Sequence, residues 1–271
     1  MARLRPIFEA FLSEIQKIDR VLRISIDGIR ALSESVPLHE ALAELDRIDG
    51  KIVDASEQER HLEAVRERTA FAKEEVENGF ATIHSQATVA LWGALESFVE
   101  DLAIFYLQNE PSLLRDPTFS GIRVSLAEFE ATDPEDRLRL LLREYARQKK
   151  ADLKFGVTGF ELLLEPVGLA GPVADEMRRD LFEISQVRSV LVHRSGVTDS
   201  RLVRSCPWLG LKQGQQVHVS AQDYARYLDS VQKYTMELIV RSLVRRGRTR
   251  AEAERLAGAR DASEQRESPA F

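Results

Sequence analysis

Apolar residues recur along this chain at helical spacing for most of its length. Leu4, Phe8, Phe11, Ile15, Ile18 and Leu22 alternate gaps of four and three, a heptad-like seam that continues to Ile29 with Ser25 interrupting. That period builds a long amphipathic helix seeking an apolar partner, in its own subunit or in a second copy. Ser33 to Pro37 is a break, after which Leu38, Leu42 and Leu45 start a second helix. The longest run, from about Glu57 to Gln108, contains no Pro and has Gly79 and Gly93 as its weak points. Its first half is mostly charged, with Leu62, Val65, Phe71 and Val76 as sparse anchors, the pattern of a solvated helix face. After Gly79 the character changes: Phe80, Ile83, Ala87, Leu91, Leu95, Phe98 and Leu102 line the broad apolar face of a core helix.

Asp133 before Pro134 opens another helix, with Leu138, Leu141, Leu142 and Tyr145 on one side, and Pro166 stops a short apolar helix. Asp180 to His193 reads as one helix closed by Gly196. Val197 to Val219 is rich in turn formers and β-branched residues and predicts a small β-hairpin with QGQQ near its turn. Ser220 and Asp223 open a final helix whose buried stripe is Tyr224, Tyr227, Leu228, Val231, Tyr234, Leu238 and Ile239. Beyond Leu243, Arg245, Arg246, Arg248 and Arg250 lead into a segment of small and charged residues that predicts a frayed or disordered tail, read first as simply solvated and second as an electrostatic attractor of RNA. The expected class is all-α: an N-terminal helical region over 1–79, a helical domain over 80–244 and a charged tail over 245–271.

Composition narrows the function. A content of 44% hydrophobic residues in 271 is ample for a core, while a net charge of −6 argues against a general nucleic-acid coat and leaves room for a local basic cleft. The single Cys206 excludes an internal disulfide framework, and no Cys/His run has zinc-ligand spacing, so neither a metal nor a cofactor is expected. His39, His61 and His84 have no second ligand at i+4 and are assigned to structure. With no apolar signal core and no run of eighteen apolar residues, a cytoplasmic protein with no membrane partner is expected.

Candidate chemistry concentrates between Asp180 and Asp199. At about 100° per residue, Leu181, Ile184, Leu191 and Val192 form one apolar arc with Arg188 in its middle. A guanidinium that cannot lose its proton must there find a carboxylate, carbonyls or an incoming anion. His193 follows in the last turn, about 140° away on an ideal helix, so a frayed terminus or a second copy of the helix is needed to bring both to one atom. Glu96, at the edge of the core helix beside Trp92 and Val99, is the expected carboxylate partner of Arg188.

Arg188, four intervening residues and His193, within RSVLVHRSG at the end of an amphipathic helix, resemble the signature of the HEPN superfamily (higher eukaryotes and prokaryotes nucleotide-binding). The resemblance covers roughly Gln86 to Leu243. It implies a HEPN-like helical bundle that dimerises with its two Arg/His helices facing across a cleft, acting as a metal-independent endoribonuclease of a bacterial toxin or defence system. The implied catalytic residues are Arg188 and His193; Glu96, chosen from its place on the core helix rather than from the resemblance, would orient the guanidinium if the two pair. The implied partners are RNA, a second copy in a homodimer, and an antitoxin or regulatory protein. The chain departs from many members at Ser189, where they carry Asn, Asp or His. It departs at Ser195 from the Tyr of the subgroup controlled by adenylylation, so that control is not implied. Two other readings stay open at this point: a noncatalytic HEPN-like module binding RNA, nucleotide or protein, and an unrelated helical scaffold in which Arg188 forms an internal ion pair.

Overall fold

The computed structural model describes residues 4–50, 55–134, 136–149 and 156–267. Four helices come first: α1 (Arg5–Ser33), α2 (Val36–Ile48), α3 (Ala55–Glu77) and α4 (Ala81–Asn109). Pro in the first turn suits the start of α1, where the missing N–H would have had no partner. The seam read from the sequence is the buried face of α1, and its phenylalanines close on α4: Phe98 stacks on Phe11 at 4.5 Å and meets Phe8 edge-on at 5.2 Å. The partner is therefore in the same subunit. Helix α1 shares one continuous core with α4 and the later helices. The expected single run from 57 to 108 is two helices, since Gly79 and Phe80 both take left-handed φ, 63° and 61°. Glycine adopts that conformation at no steric cost and turns the chain there. On α2 the outcome is inverted: His39 and Ala43 meet His61 and Gln58 of α3, whereas Leu38, Leu42, Leu45 and Ile48 stay exposed.

After a 3-10 turn at Pro111–Arg115 come α5 (Pro117–Ser120), α6 (Leu126–Ala131), α7 (Arg137–Gln148) and α8 (Val157–Leu164). The last two cover α4, with Trp92 stacked on Phe160 at 5.0 Å. Helix α9 (Asp175–His193) lies against α4, and the short α10 (Ser200–Ser205) follows. Helix α11 (Ala221–Arg245) packs on α9 and α4. It opens on a complete capping box in which Ser220 and Asp223 exchange side-chain and backbone bonds. Thus α4 is the axis around which α1, α7, α8, α9 and α11 are arranged, and Leu91, Leu95, Val99 and Leu102 along it are sealed from solvent.

Two segments differ from what the sequence leads one to expect. Among the described residues there is no β-strand; the hairpin of 197–219 shrinks to one antiparallel bridge between Val197 and Gln216. The reason is local: the Asp199 side chain accepts the Leu202 amide at 2.8 Å, nucleating α10 and burying Leu202 in the core. The tail also differs, since Arg250–Glu267 forms α12 against α11. Thr249 and Glu252 bond each other's backbone N–H at the start of this helix, and Ala253 and Ala257 are small enough to bury against Val240. Arg245 pairs with Glu110 and Arg250 with Glu237 rather than standing free. No helix among the described residues is long and apolar enough to cross a membrane.

Candidate functional site

Helix α9 changes character along its length. From Asp180 to Val187 nearly every residue is buried, because α4 and α11 enclose that stretch. Its last two turns are covered on one side by Val190 and leave Arg188, Ser189, Val192 and His193 on the other. Val192 is 46% exposed, so the expected apolar arc is corrected: Val187 and Val190 take the covered positions, and Arg188 stands at the border of the buried face instead of in its middle. The helix then closes through two left-handed residues, Ser195 at φ 52° and Gly196 at φ 78°, with the Gly196 amide reaching Val190 O at 3.1 Å. The positive φ favours glycine at 196, and a Cβ there would also push aside the end of the Gln216 side chain.

Arg188 is 31% exposed, and its Nη2 lies 3.7 Å from Oε2 of Glu96 on α4. This is an ion pair without a hydrogen bond. The Arg188 Nε is buried and has no hydrogen-bond partner among the described residues. The guanidinium is thus held near a carboxylate while part of its donor set is unused. His193, the last residue of α9, is exposed and lines a cavity of about 230 Å³ together with Ser189, Arg194, Asp199 and Arg201. Arg188 does not line that cavity. Within one chain, therefore, Arg188 and Glu96 come together while His193 stands apart from them. His84, assigned to structure from the sequence, is buried with Nδ1 2.9 Å from Phe80 O.

A second polar cluster lies on the opposite side of α9 and was not anticipated. Asp180 and Glu183, one helical turn apart, are both buried, Glu183 at 1% exposure. Arg226 on α11 bridges the two carboxylates, Tyr227 donates to Glu183 at 2.6 Å and Ser230 donates to Asp180 at 2.6 Å. Trp208 also donates its indole N–H to Glu183, and Arg179 lies over the Trp208 ring at 4.6 Å. Burial and the neighbouring Glu183 push the Tyr227 phenol far above its ordinary range, so it remains a donor. The cluster borders a cavity of about 510 Å³. Its sequence signal is the pair of carboxylates at i and i+3 flanking Leu181 and Ile184 on the covered stretch of α9.

A third network fixes α8 to α11. Arg241 donates to Glu161 at 2.9 Å, to Leu169 O at 3.1 Å and to Pro172 O at 2.8 Å, and Tyr234 adds a bond to Glu161 at 2.8 Å. These contacts tie α8 and the segment before α9 to α11. No family model, no curated protein and no solved structure matches this chain.

Proposed function

We propose that this protein is a metal-independent endoribonuclease of the HEPN type that works as a homodimer. The observation that carries the reading is the end of α9, which holds a partly unsatisfied Arg188 and, five residues further, the exposed imidazole of His193. In the reaction, the 2′-hydroxyl of a ribose attacks the adjacent phosphorus, the P–O5′ bond breaks, and the products carry a 2′,3′-cyclic phosphate and a 5′-hydroxyl. One proton leaves the 2′-oxygen and one reaches the departing 5′-oxygen. An imidazole can do either near neutral pH, and His193 of two copies facing each other would divide the two transfers. Arg188 would grip the nonbridging phosphate oxygens, exchanging its loose contact with Glu96 for charge-assisted bonds that strengthen as negative charge builds. Glu96 would hold the guanidinium in place before RNA arrives. Arg194 and Arg201 beside His193 add positive charge for the neighbouring phosphates.

The pairing of two copies follows from the about 140° between Arg188 and His193 on an ideal helix. Val192, exposed between them, is the apolar residue a second α9 would cover. A toxin or defence role with an antitoxin or regulator belongs to the same proposal, since an unrestrained ribonuclease harms its host. The test is incubation of purified protein with single-stranded RNA in EDTA, wild type beside His193→Ala. Cleavage by wild type and its loss in the variant supports the reading; equal cleavage by both, or none by either, removes it.

One observation favours a different reading, a helical scaffold in which Arg188 is a structural cation. Glu96 already faces it, and His193 lines another cavity. On that reading Arg188→Ala lowers stability and no RNA is cut.

A further inference from the structure

A groove of about 690 Å³ runs between the α3–α4 reversal and the segment that leaves α9. Its volume falls within the range of small-molecule sites. Glu75, near the end of α3, lines it and is 95% buried, at 5% relative exposure. Its Oε1 accepts the Thr82 hydroxyl at 2.5 Å, while Oε2 has no hydrogen-bond partner among the described residues. A buried carboxyl oxygen without a partner is costly, and native proteins satisfy nearly all such atoms. The wall around it supplies no remedy. Glu74 adds a second acid, no Lys or Arg is among the described residues of the lining, and His218 is its one basic side chain. The remaining surface is mixed: Val89 and Leu191 provide apolar contact, and the Phe71 ring lies 59% exposed beside the acids.

An uncompensated acid at a concave, partly apolar site with an open aromatic ring fits one ligand chemistry. We infer that this groove binds a small organic cation, an ammonium or guanidinium head on a short apolar stem, with the head completing the hydrogen bonding of Glu75 and the stem lying along Phe71, Val89 and Leu191. Ammonium and guanidinium groups both donate several N–H bonds and both favour aromatic faces. The head can belong to a free amine or to the side chain of a bound peptide. The site is separate from the Arg188 face of α9, and its occupancy does not depend on any RNA chemistry.

The test is calorimetric titration of the full chain with agmatine, with pentylamine, with uncharged 1-pentanol and with a short blocked peptide containing one arginine. Binding of the charged probes but not of pentanol, weakened at least tenfold in Glu75→Gln and several-fold in Phe71→Ala, is expected. Binding by the peptide alone, with the same loss in Glu75→Gln, supports the inference and assigns the head to a protein side chain. Glu75→Gln retains an oxygen for Thr82, so the variant folds, and its thermal midpoint provides a second readout. The free variant should melt no lower than wild type, because it no longer buries an unpaired acid. The inference is overturned if millimolar charged probes give no heat, if pentanol binds as well as pentylamine, or if Glu75→Gln binds unchanged. A variant that melts lower and binds nothing, beside a wild type that binds nothing, would make Glu75 a brace for the start of α4 alone.

Discussion

Nη2 of Arg188 stands 3.7 Å from Oε2 of Glu96, a span at which opposite charges attract without sharing a hydrogen bond. With Arg188 31% and Glu96 45% exposed, solvent screens the pair, and exposed pairs of this kind contribute about 0–1 kcal/mol. Replacing Arg188 by Gln is therefore expected to change the unfolding free energy by no more than about 1 kcal/mol, read from urea midpoints, while RNA cleavage falls at least about 100-fold. A large stability loss without any cleavage to lose would make Arg188 a brace between α4 and α9.

The Glu183 cluster behaves in the opposite way. Its carboxylate is buried and accepts from Arg226, Tyr227 and Trp208, so Glu183→Ala removes the acceptor of the Tyr227 hydroxyl and the Trp208 N–H and leaves Arg226 with Asp180 and Asp223 alone. Breaking a buried pair from one side costs about 3–5 kcal/mol. Chemical denaturation should show a loss of that order, and a loss below about 1 kcal/mol would mean the cluster is far wetter than its burial indicates.

Phe98 tests where α1 belongs. It is buried between Phe8 and Phe11, and truncating a core phenylalanine costs about 3–5 kcal/mol. Phe98→Ala should lose that much at every protein concentration, because both partners lie in the same subunit. A loss that depends on concentration would place the α1 seam between copies.

Cys206 carries the pH prediction. Burial pushes its thiol from 9.0 up to about 12, with Glu183 adding to the rise and Arg179 opposing it. The folded state keeps the proton that the unfolded state releases, so this contribution is complete below pH 9.0 and is lost as pH rises toward about 12. Wild-type stability should decline across that window more steeply than that of Cys206→Ala. Ellman's reagent at pH 8 should label the native thiol far more slowly than the urea-unfolded one, and equal labelling rates would contradict the burial.

What could be read in advance depended on whether neighbours in sequence determined the outcome. The seam from Phe8 to Leu22 was legible because a period of three and four residues names one face, and the whole of that face is buried. The Ser220–Asp223 box was legible because both partners sit within one turn. Val192 was misplaced because periodicity gives the arc of a helix but not where the enclosing helices end, and the last turns of α9 have only one side covered. Helix α10 was hidden because a single cap at Asp199 outweighs the β-branched residues around it. Helix α12 was hidden because alanines carry little hydrophobic signal, although Ala253 and Ala257 bury completely or nearly so. The acids of the Glu183 cluster were visible in sequence, but their cation is Arg226 on another helix, a pairing that only the tertiary structure provides.

The central claim is that the exposed end of α9 cuts RNA through His193. Its most direct measurement is the end-group chemistry of RNA fragments made in EDTA by wild type and by a folded His193→Ala. The account predicts 2′,3′-cyclic phosphate and 5′-hydroxyl termini from wild type, formed at least about 100-fold faster than by the variant. Termini of another kind, equal rates for the two proteins, or intact RNA in both reactions would contradict it.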